Sequence, residues 1–78
     1  MEDIAIQVHT LMIEKLGIAE NRINNESDFR KDYKIDSLDL YELFVEAEKR
    51  FEISIPDEIA EKIETVGQLI DFIRSQRH

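Results

Sequence analysis

Apolar residues recur at intervals of three and four positions along most of this chain, and the longest unbroken apolar run is three residues. This spacing places apolar side chains on one face of an α-helix, whereas a half-buried strand would alternate apolar and polar residues. No apolar stretch approaches the roughly 20 residues that a membrane-spanning helix needs. The pattern therefore predicts an all-α protein that does not insert into a membrane.

The length of 78 residues predicts a single domain, residues 1–78. Folds of this size often depend on disulfides or a structural metal, but the chain has no cysteine and no zinc-spaced Cys/His cluster. Its formal charge of −8 disfavours nucleic acid, favours partners with basic surfaces and favours a monomer. The acidic residues Glu2 and Asp3 do not resemble the start of a signal peptide, so we expect a cytoplasmic protein.

The first predicted helix covers about residues 2–16, and Gly17 provides its stop. Its apolar arc is expected to include Ile6 and Ile13 at its edges. The second helix begins after Asp36, whose carboxylate can accept a hydrogen bond from a first-turn amide.

A short third helix is predicted over about residues 57–62, with Pro56 near its start. The fourth follows Thr65, which has a glutamine three positions later and so fits a capping box. Four helices of these lengths predict a small four-helix bundle, with three longer helices and a short third one.

Residues 17–36 are rich in Asn, Asp and Ser and show no helical period. A structureless segment of this length is unusual inside a compact domain. We predict a long ordered first loop, held to the bundle by its apolar side chains. These are Ile18, Ile23, Phe29, Tyr33 and Ile35.

The second helix carries two apolar strips on a helical wheel. The larger is predicted to be buried and contains Leu40, Leu43, Phe44, Ala47 and Phe51. The smaller contains Leu38, Tyr41 and Val45 and lies among acids; ten of the 18 acidic residues fall within residues 36–64. Burial under the third helix, or scattered surface apolar residues, would explain the smaller strip. We favour a docking surface for basic partners.

Ser37 falls at the first position of the second helix, where free amides and the helix dipole favour an attached phosphate. Asp36 and Asp39 oppose such a charge. Taken alone, this local sequence favours an ordinary first-turn serine, and phosphorylation is a further use of it.

Two other chemistries have little support. A hydrolase would pair Ser37 with His9 and an acid, but no glycine-rich elbow precedes the serine, and His9 lies in the apolar arc of the first helix. Asp28, Asp32 and Asp36 recur every four residues, which is not the ligand spacing of an EF-hand. No metal site is predicted.

The run Asp36-Ser37-Leu38-Asp39-x-x-Glu42-Leu43 resembles the prosthetic-group attachment motif of acyl carrier proteins. Two further segments are similar to the same family in the same order. They are Ser27-x-Phe29 with Asp32, and Phe51-x-x-x-Ile55-Pro56-Asp57-Glu58-x-Ala60-Glu61-x-Ile63 with Thr65-Val66. The chain is identified as a member of that family over essentially its whole length.

The resemblance implies a non-catalytic carrier. Ser37, between Asp36 and Leu38, would bear 4′-phosphopantetheine, installed from coenzyme A by a phosphopantetheinyl transferase. Acyl intermediates would be held as thioesters for partner enzymes of fatty-acid, lipid or polyketide-type synthesis that have basic docking patches. The implied partner-binding residues are Leu38, Asp39, Tyr41, Glu42, Val45, Glu48, Ile55, Asp57 and Glu61.

Tyr33 and Lys34 depart from the family pattern, which has Leu-Gly at these positions. Lysine adopts positive φ at greater cost than glycine, and its ammonium group would be expected near the phosphate.

Lys49 and Arg50 stand where the primary fatty-acid carriers of the family are typically acidic, and Tyr41 and Phe44 are bulkier than the common residues. Phe44 is expected to reduce any cavity for the acyl group and so to favour short chains. Together these departures favour a carrier dedicated to one pathway. The alternatives are an aminoacyl or peptidyl carrier and a cofactor-free acidic helical adaptor.

Overall fold

The computed structural model describes residues 3–77, and in this part of the chain the regular structure is helical. The helices are α1 (Ile4–Leu16), α2 (Ser37–Phe51), α3 (Asp57–Lys62) and α4 (Val66–Gln76). A 3-10 helix, Glu20–Arg22, lies between α1 and α2 and was not predicted. The four-helix bundle with a short third helix is confirmed. Glu2, in the predicted start of α1, lies outside the described residues.

The helix ends follow the capping signals in the sequence. Gly17 ends α1 with φ of 67°, and its amide donates to the Ile13 carbonyl at 3.2 Å. The Asp36 carboxylate accepts from the Asp39 amide at 2.9 Å and so begins α2. Thr65 and Gln68 form both hydrogen bonds of a capping box at the start of α4.

The core forms where α1 packs against α2 and α4. All five residues predicted for the larger strip of α2 are buried. The predicted arc of α1 was too wide, because Ile6 and Ile13 are 53% and 39% exposed. They lie outside the buried face of α1, which contains Val8, Leu11 and Met12.

The loop between α1 and α2 is an ordered crossover, as predicted, and it is hydrogen-bonded to the start of α4. The Phe29 amide donates to the Glu64 carbonyl at 2.9 Å. The Gly67 amide donates to the Asn25 carbonyl at 2.7 Å. A Cβ atom on Gly67 would lie 2.9 Å from that same oxygen, so a side chain there would push the loop away.

Side chains complete the attachment of the loop. Phe29 is fully buried and packs edge-to-face on Phe44, with ring centroids 6.3 Å apart. The Tyr33 hydroxyl donates to the Arg22 carbonyl at 2.9 Å and accepts from the Asn24 amide at 3.1 Å. The loop therefore reaches α2 along a fixed path. Among the described residues, no helix is long and apolar enough to cross a bilayer.

Candidate functional site

Ser37 is the first residue of α2 and is exposed. Because Asp36 caps the helix with its own carboxylate, the Ser37 hydroxyl is not needed as the cap. Instead, Ser37 Oγ accepts a hydrogen bond from Arg30 Nη1 at 2.9 Å. An exposed hydroxyl at a helix N-terminus, next to a guanidinium, can accept and hold an anionic group.

The Asp28 carboxylate fixes the backbone that carries Arg30. Its Oδ1 accepts from the Arg30 amide at 2.8 Å and from the Lys31 amide at 2.9 Å. The Lys31 amide, followed by the Arg30 amide, lowers the pKa of Asp28 below its ordinary value of 3.8, so the carboxylate is charged at neutral pH. Asp32 Oδ2 in turn accepts from the Asp28 amide at 2.6 Å. The turn presents Arg30 towards α2.

Lys34 has a positive φ of 57°, the conformation expected from the glycine that the family pattern has at this position. A left-handed conformation costs a residue with a Cβ atom about 1–2 kcal/mol. The group in contact with Ser37 is Arg30. The sequence predicted the Lys34 ammonium group near the attached phosphate and gave no indication of Arg30.

Lys34→Gly is expected to stabilise the protein by about 0.5–1 kcal/mol, since the strain removed exceeds the extra entropy of an unfolded glycine. Lys34→Ala is the matched control, because it removes the same charge but keeps the Cβ atom. Urea unfolding monitored by circular dichroism would measure both. Equal stability of the two variants would mean that charge, rather than backbone strain, distinguishes Lys34 from glycine.

A groove of about 300 Å³ opens beside Ser37, between α2 and α3. Its apolar wall includes Leu40 and Phe44, both nearly fully buried, and Ala60. Its polar lining comes from Arg30, Ser37, Tyr41, Asp57 and Glu61.

Tyr41 links the two sides of this groove. Its hydroxyl donates to Asp57 Oδ1 at 3.2 Å. This hydrogen bond, followed by the negative charge of the same carboxylate, raises the pKa of Tyr41 above its ordinary value of 10.0. The phenol is therefore neutral at physiological pH, and an exposed hydrogen bond joins α2 to α3 at the groove.

The smaller apolar strip of α2 is not covered by α3. Leu38 and Tyr41 are 68% and 53% exposed, and Val45 is half-buried. The predicted acidic neighbours differ in exposure: Glu48 is half-buried, and its carboxylate accepts from the Ile55 amide at 2.8 Å. Those that are exposed are Asp39, Glu42, Asp57 and Glu61.

Ile55 requires a correction. The resemblance assigned it apolar contact with partners, but its side chain is only 7% exposed and belongs to the core. The loop after α2 turns Ile55 inward, where the Glu48 carboxylate holds its amide. It offers little surface to a partner.

The residues considered for hydrolase chemistry and for calcium binding make structural hydrogen bonds instead. His9 Nε2 lies 2.8 Å from Asn25 Oδ1, so this histidine ties α1 to the loop. The carboxylates of Asp28, Asp32 and Asp36 all accept from backbone amides. Within residues 3–77, no group of three His, Cys, Asp or Glu side chains is arranged to hold a metal ion.

Arg30 and the Tyr41–Asp57 hydrogen bond were missed by the sequence reasoning. An aspartate such as Asp28 can accept a hydrogen bond from the amide two residues later and form an Asx turn. That tendency would have indicated a fixed backbone at Arg30. The direction of the guanidinium depends on how the loop lies against α2, which no local motif specifies.

The comparisons with known proteins agree with this geometry. A family model described as a phosphopantetheine attachment site matches residues 7–73. The fold is similar to the solution structure of a protein from Anaplasma phagocytophilum that is provisionally described as an acyl carrier protein. The two chains are 32% identical, with a TM-score of 0.89, and the match covers 99% of this chain and 91% of the other. This chain therefore belongs to the acyl carrier protein family, whose members are non-catalytic carriers of phosphopantetheine modified by a phosphopantetheinyl transferase.

Proposed function

We propose that Ser37 is the attachment residue and that the protein carries acyl groups as thioesters on the attached arm. The observation that carries this proposal is the exposed Ser37 hydroxyl at the first turn of α2, hydrogen-bonded to Arg30 at 2.9 Å. These residues fit a phosphodiester, because the amides of the first turn and the guanidinium both favour negative charge at this point.

The attachment reaction needs only the hydroxyl from this chain. Ser37 Oγ forms a bond to the phosphorus of coenzyme A that bears the pantetheine arm, and the bond from that phosphorus to the adenosine bisphosphate leaving group breaks. The hydroxyl proton passes to a base on the transferase. The arm supplies the thiol that forms thioesters, and the chain has no cysteine to compete for the acyl group.

The groove beside Ser37 supports a short acyl chain as the cargo. Leu40, Phe44 and Ala60 give it an apolar wall on which the methylenes of an acyl chain can be buried. Phe44 fills space that a smaller side chain would leave open, which limits the length of chain accommodated. We propose that the acyl groups are intermediates of fatty-acid, lipid or polyketide-type synthesis.

The docking face consists of the smaller apolar strip of α2 and the acids around it. It would receive the basic patches of the transferase and of acyl-transferring or condensing enzymes, with charge steering the encounter and Leu38 providing apolar contact. The net charge of −8 supports a monomer, and we place the protein in the cytoplasm. The residues of the face are Leu38, Asp39, Tyr41, Glu42, Val45, Glu48, Asp57 and Glu61.

Intact-mass measurement after incubation with coenzyme A and a broad-specificity phosphopantetheinyl transferase tests the proposal. We expect a gain of one phosphopantetheinyl group, and peptide mapping should place it on Ser37 among the serines of the chain. These are Ser27, Ser37, Ser54 and Ser75. Folded protein that gains no mass with several transferases would favour the cofactor-free adaptor.

The same holo protein distinguishes the kinds of cargo. A hexanoyl thioester should react with hydroxylamine about tenfold more slowly than free hexanoyl-pantetheine, because burying two methylenes at ~0.8 kcal/mol each corresponds to roughly that factor. An alanyl thioester should gain no protection. Protection of the alanyl thioester without protection of the hexanoyl thioester would identify an aminoacyl carrier. A hexadecanoyl thioester that is protected more strongly than the hexanoyl thioester would contradict the short-chain cargo.

A further inference from the structure

We propose that Arg30 clamps the phosphodiester of the attached arm and thereby holds the base of the arm at the mouth of the α2–α3 groove. The inference rests on attachment at Ser37. It assigns Arg30 a positioning role that is separate from the docking face.

Contact with the attachment atom already exists. Arg30 Nη1 lies 2.9 Å from Ser37 Oγ, which becomes a bridging oxygen of the phosphodiester. The two non-bridging oxygens, which share the negative charge, lie one bond further on the same phosphorus. The planar guanidinium has five N–H donors suited to bidentate contact with phosphate, and hydrogen bonds between charged groups are stronger than neutral ones.

The local charges make such a cation useful. Asp36 lies next to Ser37 and Asp39 lies two residues after it, so both carboxylates repel an attached phosphodiester. Within residues 3–77, Arg50 and Arg74 are engaged in ion pairs, whereas the Arg30 guanidinium is in none. Its charge is therefore available to offset the two carboxylates.

The clamp is mounted on a fixed backbone. Asp28 holds the amide of Arg30, and the preceding residue, Phe29, is fully buried. The Ile35 amide donates to the Phe29 carbonyl at 3.2 Å, which connects this turn to the segment that enters α2. Arg30 also lines the groove. A phosphate held by Arg30 therefore starts the arm beside the groove.

Phosphorus-31 NMR of the holo protein tests the clamp. Each protein is first confirmed as modified by intact mass, so failure of attachment is recorded separately from failure of the clamp. In Arg30→Gln the 31P line should narrow by a factor of about 1.4, as expected when an order parameter falls from ~0.85 to ~0.6. The 31P line width of Arg30→Lys should lie between those of Arg30→Gln and wild type. Lys31→Gln, the matched loss of a neighbouring charge, should match wild type.

A second measurement uses the wild-type protein alone and does not depend on whether the variants are modified. With 15N-labelled arginine, the guanidinium protons of Arg30 should exchange with water more slowly in the holo protein than in the apo protein. Equal line widths in modified wild type and Arg30→Gln would overturn the clamp, as would guanidinium exchange that is not slower in the holo protein. Attachment at Ser37 would stand in either case.

Discussion

Ser37→Ala is expected to abolish modification completely: its mass should stay unchanged under conditions in which the wild-type protein gains one phosphopantetheinyl group. Alanine has no oxygen to form the bond to phosphorus, so no residual rate is expected at this position. Intact-mass spectrometry over a time course would measure the effect. Ser54→Ala, which removes another exposed serine, should be modified at the wild-type rate.

We expect Ser37→Ala to remain folded, so unfolding would not explain its loss of modification. The Ser37 hydroxyl makes one exposed hydrogen bond, to Arg30, and the helix is capped by Asp36. Surface substitutions of this kind change stability by about 0.5 kcal/mol or less. Circular dichroism of Ser37→Ala should therefore match wild type. A full mass gain by Ser37→Ala would mean that another residue accepts the arm.

The helices and their buried faces could be predicted because their determinants are local. Asp36, Thr65 and Gly17 terminate helices through contacts within a few residues, and the larger strip of α2 follows from helical period alone. The same period indicated the second strip, and the acids interleaved with it favoured the exposure that Leu38 and Tyr41 show. Position on a helix, together with the family motif, was therefore enough to propose Ser37 as the attachment residue.

The remaining features depend on tertiary contacts. The hydrogen bond from Arg30 to Ser37 exists because the loop is fastened to α4, and residues 17–36 have no period from which that path could be read. The burial of Ile55 has a similar origin, since it lies in a connection between helices. The 3-10 helix Glu20–Arg22 was also missed, as three residues carry too little pattern to be recognised.

Phe29→Ala is expected to cost about 3–5 kcal/mol, the range for removing a fully buried phenylalanine. The side chain is 0% exposed, and its loss also removes the edge-to-face contact with Phe44, which contributes ~0.5–1.5 kcal/mol. At roughly 0.05–0.15 kcal/mol per residue, a chain of this length has only about 4–12 kcal/mol in total. The substitution should therefore remove a large share of the free energy of unfolding, and urea and thermal unfolding would measure that loss.

Phe72→Ala is the matched control, because Phe72 is half-buried on α4 and packs at the edge of the core; it should cost less than half as much. Phe29→Leu provides a variant that remains folded, since it keeps an apolar side chain in the same space. If Phe29 anchors the turn that carries Arg30, folded Phe29→Leu should show faster amide exchange at Arg30 and Lys31 than wild type, whereas Phe72→Ala should not. A cost of only about 1 kcal/mol for Phe29→Ala would be far below that of removing a buried phenylalanine and would mean that other contacts hold the loop without Phe29.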